Sequence, residues 1–475
     1  MDGTLRRLRS GYRALRLEPI EPRLLLSVGL LPAGLVPADW TGLSQVRSQH
    51  DLTGRGQTVA VIDSGIDYGQ PALGGGLGPG YRVVGGLDLA DNASNPDDNS
   101  AAPGHGTYVA GIIGSSDPAH PGVAPGVDLV ALRVFDNSGA SSLGLVDKAL
   151  QWVHVHRDDF QWPITTVNLS LGSAGNFTSV PNWAFLEPDL AQLQADGIFV
   201  SVAAGNDFAA YGTPGVDYPA ASPHVVPVAA GTAEGALAGF SQRDAQCLVA
   251  PGVGLVSIVP DSAGNHNGLR DDVARLSGTS TAAAYVAGAS VLLREAYQEA
   301  GQPNVSEQTL YQTMLSTADT IQDPATGQEY RRLNLARAVD SVFSAAASQA
   351  APESGAAKTP PPSSGAPPAP ALTDWGTVTR QEFDGYTIGV AGQWFTVTAA
   401  TGGILSIAPV SPSAPGGNCI DVLDASGKIV AASFGKDQWG RIDTPVDAGE
   451  QLRLHVFTIG GPEAGVPVDF CVTDV

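Results

Sequence analysis

Five short apolar runs set apart by helix-length segments constrain this chain more than any other feature. They are Thr58-Val59-Ala60-Val61-Ile62, Leu129-Val130-Ala131-Leu132, Thr166-Val167-Asn168-Leu169, Ile198-Phe199-Val200-Ser201-Val202 and Val225-Val226-Pro227-Val228, all between residues 55 and 345. Each has the length of a strand and almost no polar alternation, so both of its faces must be covered. Strands of that kind joined by helical segments form a parallel sheet with helices on both faces, an α/β fold. Sheets of this class carry their chemistry in crevices outside the carboxyl ends of the strands. Polar residues placed where the runs stop are therefore the candidates for function.

The flanks follow other rules. Residues 349–371 include Pro360, Pro361, Pro362, Ser363, Ser364, Gly365, Pro367, Pro368 and Pro370, an extended and semi-rigid spacer that cannot join a packed core. It separates an α/β domain over 41–348 from a second domain over 372–475. In the latter, short runs with period-2 or β-branched character at 394–397, 404–407, 420–423, 428–430 and 452–456 are broken by turns such as Asp424-Ala425-Ser426-Gly427 and Asp447-Ala448-Gly449. That pattern predicts an all-β sandwich. Cys419 and Cys471 fall inside it and can pair if the protein is exported, leaving Cys247 with the role of a small buried apolar residue.

Residues 1–40 read as a leader. The first 24 residues carry six arginines against Asp2, Glu18 and Glu21, a net charge of +3, whereas the whole chain carries -22. The apolar run 24–38, interrupted by Pro32 and Pro37, has the size of a signal h-region and is too short and broken to cross a bilayer. The string Glu21-Pro22-Arg23-Leu24-Leu25-Leu26-Ser27 resembles the Leu-Glu-Pro-Arg-x-Leu-Leu segment at the N-terminus of some large bacterial surface proteins, with Ile20 where that pattern has Leu. A secreted or cell-surface location is the expectation. The acidity of the remainder attracts no phosphate backbone, which disfavours nucleic acid as a partner. No other stretch is long enough for a transmembrane span.

Three polar residues stand where the α/β pattern makes a site. Asp63 closes the first apolar run in Val61-Ile62-Asp63-Ser64-Gly65. His105 lies between glycines in Gly104-His105-Gly106-Thr107 and opens a small, apolar helical segment. Ser280 follows Gly278-Thr279 at the head of Ala282-Ala283-Ala284-Tyr285-Val286-Ala287-Gly288, a helix apolar nearly all round and so buried. Taken singly, each has a structural explanation: a capped turn, a core histidine, an N-cap serine. Taken together they supply a nucleophile, a base that removes its proton, and a carboxylate that fixes the tautomer of the base.

The order Asp63, His105, Ser280 and the strings Asp-Ser-Gly, Gly-His-Gly-Thr and Gly-Thr-Ser resemble those of the subtilisin-like serine peptidases. The resemblance implies a subtilisin-like parallel sheet and peptide-bond hydrolysis through an acyl-enzyme, with protein or peptide as substrate and no cofactor required for the chemistry. It identifies Asn206, at the end of Ala203-Ala204-Gly205-Asn206, as the side-chain donor of the oxyanion hole. It also places substrate along Ser141, Ser142, Leu143 and Gly144, along Ser170, Leu171 and Gly172, and beside Ala204 and Gly205. The second domain resembles the small pre-peptidase-type β-sandwiches appended to secreted bacterial peptidases, and a cell-surface ligand is its implied partner.

Three positions depart from the family pattern. Thr281 stands where Met is usual, and Ala284 and Tyr285 stand where Pro and then His are usual. The segment before Asp63 is also too short for the folding pro-domain the family usually carries. These departures motivate a second reading, a catalytically silent subtilisin-fold surface binding or structural protein. Two acidic clusters, Asp88, Asp91, Asp97 and Asp98, and Asp261, Asn265, Asn267, Asp271 and Asp272, offer the oxygen ligands calcium prefers, and solvated loops account for the same residues.

Overall fold

The computed structural model describes residues 14–17, residues 39–350 apart from 92 and 99–103, and, beyond residue 371, nine strands with residues 400 and 448–450. Two compact units emerge, Met1–Pro352 and Glu353–Val475. The first unit begins with β1 (Ala14–Leu17), α1 (Leu43–His50), β2 (Thr58–Asp63), β3 (Val83–Asp88), α2 (His105–Gly114), β4 (Asp128–Arg133), β5 (Ser141–Ser142), α3 (Leu143–His156), β6 (Ile164–Leu169), β7 (Leu171–Phe177) and α4 (Glu187–Ala195). It continues with β8 (Phe199–Ala203), α5 (Phe208–Tyr211), β9 (Val216–Tyr218), β10 (Val226–Gly231), β11 (Leu248–Pro251), β12 (Leu255–Ile258), β13 (Val273–Leu276), α6 (Thr279–Glu299), α7 (Glu307–Thr317), β14 (Asp319–Gln322), β15 (Glu329–Arg332) and α8 (Leu335–Ala350).

The main sheet has nine strands in the order β14-β15-β11-β10-β8-β6-β2-β4-β3, parallel at every pairing except β14 with β15 at one edge. All five apolar runs read from the sequence are strands of it, and the fold is the subtilisin-like α/β class expected. Alternation along each strand divides the core into two layers. Val59, Val61, Leu129 and Ala131 face one layer with α2, α6 and α8, while Ala60, Ile62, Val130 and Leu132 face the other with α3 and α4. Full burial of the valines, leucines and isoleucine among them stabilises by about 1.5–3 kcal/mol each. Helix α6 is buried from Thr279 to Ala296, which its alanines and Gly288 permit: a Cβ on Gly288 would stand 2.6 Å from Val123.

The second unit contains β16 (Leu372–Val378), β17 (Arg380–Ile388), β18 (Gln393–Ala399), β19 (Gly403–Pro409), β20 (Asn418–Leu423), β21 (Ile429–Ser433), β22 (Ile442–Val446), β23 (Gln451–Thr458) and β24 (Val466–Asp474). They form two sheets, β16-β18-β23-β20-β21 and β17-β24-β19-β22. Pairings are antiparallel except that of β16 with β18. Phe395, Val397 and Ala399 alternate inward opposite Leu452 and Leu454. Cys419 is in β20 and Cys471 in β24, on different sheets; their side chains, and the Asp424-to-Gly427 turn, lie outside the described residues. Cys247 is a free, buried thiol that burial pushes well above its ordinary pKa.

Candidate active site

Three neighbouring strands deliver the site. Ile62 pairs with Leu169 and Leu169 with Val202, so the carboxyl ends of β2, β6 and β8 lie side by side, bearing Asp63, Ser170 and the Ala204-to-Asn206 segment. Helix α2 starts at His105 and α6 at Thr279, with Ser280 its second residue. Asp63 is 0% exposed, and His105 and Ser280 are 3% exposed. A Cβ on Gly106 would stand 2.1 Å from the Gly65 carbonyl oxygen, so glycine after the histidine lets α2 close onto the end of β2.

His105 Nδ1 donates to Asp63 Oδ1 across 2.7 Å. The same oxygen accepts the Ser64 amide at 2.7 Å. Burial alone pushes the imidazole pKa down, but the Asp63 carboxylate, helped by Asp98, outweighs it and the net shift is upward. With Nδ1 held by the carboxylate, Nε2 is the free ring nitrogen, and it has no partner among the described residues. That tautomer is the one able to take a proton. Ser280 Oγ donates to the Ser170 carbonyl at 3.3 Å, and Ser170 Oγ returns a bond to the Ser280 carbonyl at 2.9 Å. The serine is thereby tied to β6, while its backbone amide belongs to the first turn of α6, where unpaired N–H groups create a positive end.

Asn206 is fixed by its oxygen. Oδ1 accepts from the Thr279 amide at 3.0 Å and from Thr279 Oγ1 at 3.2 Å. Nδ2 is buried without a partner among the described residues. A buried amide N–H left open is costly, and this one lies beside the head of α6.

The flanking positions divide. β1 runs antiparallel between β5 and β7, with Ala14 opposite Ser142, Leu15 opposite Ser141, Arg16 opposite Gly172 and Leu17 opposite Leu171. An extended segment thus fills the slot between two edge strands, although the sequence had marked residues 1–40 only as a leader. Leu143 and Gly144 take no part in this pairing: they form the first turn of α3, and Leu143 is buried in the core beneath. Ala204 is also buried, its amide bonded to Val228 and its carbonyl to Asp217, while Gly205 donates to Thr279 Oγ1.

The departures from the family pattern are absorbed locally. The Thr281 hydroxyl meets the Tyr108 hydroxyl, which itself donates to the Leu255 carbonyl at 2.8 Å. Tyr285 OH and Thr41 Oγ1 are 2.6 Å apart. Several side chains of the acidic clusters are bonded within the protein. Asp88 pairs with Arg133 and accepts the amides of Ala90 and Asp91. Asp261 and Asp272 accept loop amides from Gly268 and Asn265. Among the described residues no three His, Cys, Asp or Glu side chains gather as metal ligands. Missed in the sequence were Ser64, Asp98, Thr107 and Thr279, which hold the site from behind; Asp98 had been counted only as an acidic loop residue.

Comparison with known proteins adds the lineage. The chain is 31% identical over 260 residues to subtilisin E of Bacillus subtilis (strain 168), an alignment covering 53% of this chain and 60% of that protein. It is equally 31% identical over 260 residues to subtilisin of Bacillus pumilus, covering 83% of it. A thermostable alkaline protease of Halalkalibacterium halodurans is 31% identical over 291 residues, covering 60% of this chain and 69% of that one. A crystal structure of a cold adapted subtilisin-like serine proteinase aligns with 59% of this chain and 89% of its own at 27% identity and a TM-score of 0.47. The profile of Peptidase_S8, the subtilase family, matches residues 54–335, more than half of the sequence and the whole of the crevice just described, and the chain belongs to that family.

Proposed function

We propose that the chain is an exported serine endopeptidase that hydrolyses peptide bonds in proteins. The observation that carries this reading is the Asp63–His105 bond at 2.7 Å beside an unpartnered His105 Nε2, with Ser280 at the neighbouring strand end and helix head. His105 Nε2 takes the Ser280 proton as Oγ attacks the carbonyl carbon, Asp63 holds the tautomer and stabilises the imidazolium, and the imidazolium then protonates the leaving amine. Water deacylates the enzyme with the same base. Asn206 Nδ2 and the Ser280 amide receive the charge that develops on the carbonyl oxygen. Substrate enters as an extended strand between β5 and β7, a mode supported by β1 in that slot.

Export rests on the basic head and apolar run of residues 1–40, and no helix among the described residues is long and apolar enough to cross a membrane. The unit beyond the proline-rich linker is read as an anchoring or targeting module for a cell-surface ligand. The silent-protein reading has one observation in its favour, the Ser280 hydroxyl turned to Ser170 and not to His105. Fluorophosphonate labelling of the wild type and Ser280→Ala decides between the two. Labelling that disappears in the variant establishes an activated serine; a folded wild type that stays unlabelled overturns the peptidase reading.

A further inference from the structure

Helix α2 carries the base at its first residue but has no cap of its own, because the N-cap residue is Gly104, which makes no side-chain bond. An uncapped helix start frays, and fraying here would swing the imidazole. The missing bonds come from two residues outside the helix. Ser64 Oγ accepts the Gly106 amide at 2.9 Å. Asp98 Oδ2 accepts the Thr107 amide at 3.0 Å and Thr107 Oγ1 at 2.6 Å. Asp98 Oδ1 accepts the Ser64 hydroxyl at 2.9 Å, and Ser64 donates its own amide to Asp63. The ring closes through Thr107 Oγ1, which accepts the Asp67 amide at 2.9 Å. Gly65 lets the loop bearing Asp98 lie this close: its φ is +105°, and a Cβ there would stand 2.5 Å from the Pro96 carbonyl oxygen.

Resting on the peptidase reading, we infer that Asp98 is a positioning residue that locks the helix of His105 to the strand of Asp63 and adds a second negative charge behind the imidazole. Asp98 is 3% exposed and takes no part in the β5–β1–β7 pairing, so its influence passes through His105. The charged groups around it are Asp63 at the end of β2, His105 on α2, Asp67 beyond β2 and Asp97 on its own loop, with Arg270 and Arg133 acting on Asp97. Burial raises the Asp98 pKa to about 7; the Thr107 and Ser64 bonds work against that rise and Asp63 adds to it. Its charge therefore develops across the neutral range, and once present it favours the imidazolium.

The test compares wild type, Asp98→Asn and Ser64→Ala in the full chain, by peptide hydrolysis across neutral pH and by thermal melting. Asn preserves volume and one acceptor while deleting the charge. The expected result for Asp98→Asn is a folded protein with unchanged KM, a kcat lower by roughly 10- to 100-fold, and an acid limb of kcat/KM displaced to lower pH. A folded Asp98→Asn with the acid limb unmoved overturns the assignment, as does a loss carried wholly by KM. If Asp98→Asn does not fold, Ser64→Ala decides: a kcat loss at constant KM upholds the lock and wild-type kcat overturns it. If the wild type itself takes no fluorophosphonate, the peptidase reading fails separately. NMR titration of His105 in wild type and Asp98→Asn then judges the lock alone, and an unshifted imidazole overturns it.

Discussion

The crevice has two halves with frames of similar tightness that leave different atoms open. On the β2–α2 side, Asp63 Oδ1 holds two donors, and Ser64, Thr107 and Asp98 close a ring around the helix start. On the β8–α6 side the framework is equally tight, with Asn206 Oδ1 and Ser170 bonded to α6, and Asn206 Nδ2 is left without a partner among the described residues. On the β2–α2 half the frame that fixes the imidazole is closed, while Asp63 Oδ2 and His105 Nε2 carry no bond among the described residues. On the proposed peptidase reading the β8–α6 half becomes complete only when a carbonyl oxygen occupies it, the arrangement expected of stabilisation reserved for the transition state.

The sharpest way to break this comparison is to remove the nucleophile. Ser280→Ala is expected to lose on the order of 10⁶-fold in kcat, the scale found for nucleophile removal in a subtilisin, read by peptide hydrolysis under single-turnover conditions. Asn206→Ala leaves the closed half untouched and is expected to lower kcat by roughly 100- to 1000-fold, the loss reported for such a donor in the same family, with KM little changed. If Asn206→Ala instead raises KM at constant kcat, the open amide binds ground-state substrate and the division of labour between the halves is wrong.

Two smaller effects sharpen the contrast. β1 occupies the slot between β5 and β7, and a tethered strand competes at an effective concentration near the millimolar range, so removal of residues 1–38 is expected to lower the apparent KM for extended peptides by about tenfold. Steady-state kinetics of the two chain lengths check this, and equal KM values would remove β1 as a competitor. The pH dependence follows from the closed half. Activity needs neutral His105, and its pKa is shifted upward from 6.5 by Asp63 against burial. The acid limb of kcat/KM is accordingly expected above the ordinary imidazole value, and a limb at or below it means the Asp63 bond is not maintained in solution.

Much of this was legible in the sequence, for physical reasons that also mark where it stopped. Buried parallel strands must be continuously apolar, so β2, β4, β6, β8 and β10 announced themselves. β3 did not, because Gly85 and Gly86 dilute an edge strand that needs cover on fewer sides. Asp63, His105 and Ser280 could be found because each ends a strand or begins a helix in a short string of small residues. Asp98 was hidden because nothing in an Asp-Asp loop distinguishes a buried cap from a solvated carboxylate; only the fold brings it to Thr107. The pairing of β1 was hidden for the same reason, since a basic leader offers no sign that its backbone completes a sheet.

The opposite layer of the sheet holds a control on the electrostatics. Asp189 on α4 is a second carboxyl whose pKa is raised, to about 8, by burial first and then by its hydrogen bond with Asp147 on α3. It is partly buried next to another acid, but α3 and α4 cover the opposite layer of the sheet from α2. A folded-state pKa above the unfolded 3.8 means that Asp189 contributes stability fully below that value and loses it as pH rises through about 8. Asp189→Asn removes this loss. The melting temperature of the variant is expected to exceed that of the wild type by roughly 2–4 °C at alkaline pH, with the gap closing as pH falls, in differential scanning calorimetry. Its acid limb of kcat/KM must coincide with the wild type's. If Asp189→Asn moved that limb as Asp98→Asn does, the imidazole would be sensing the charge of the whole domain, and the closed half of the site would lose its claim to set the basicity of His105.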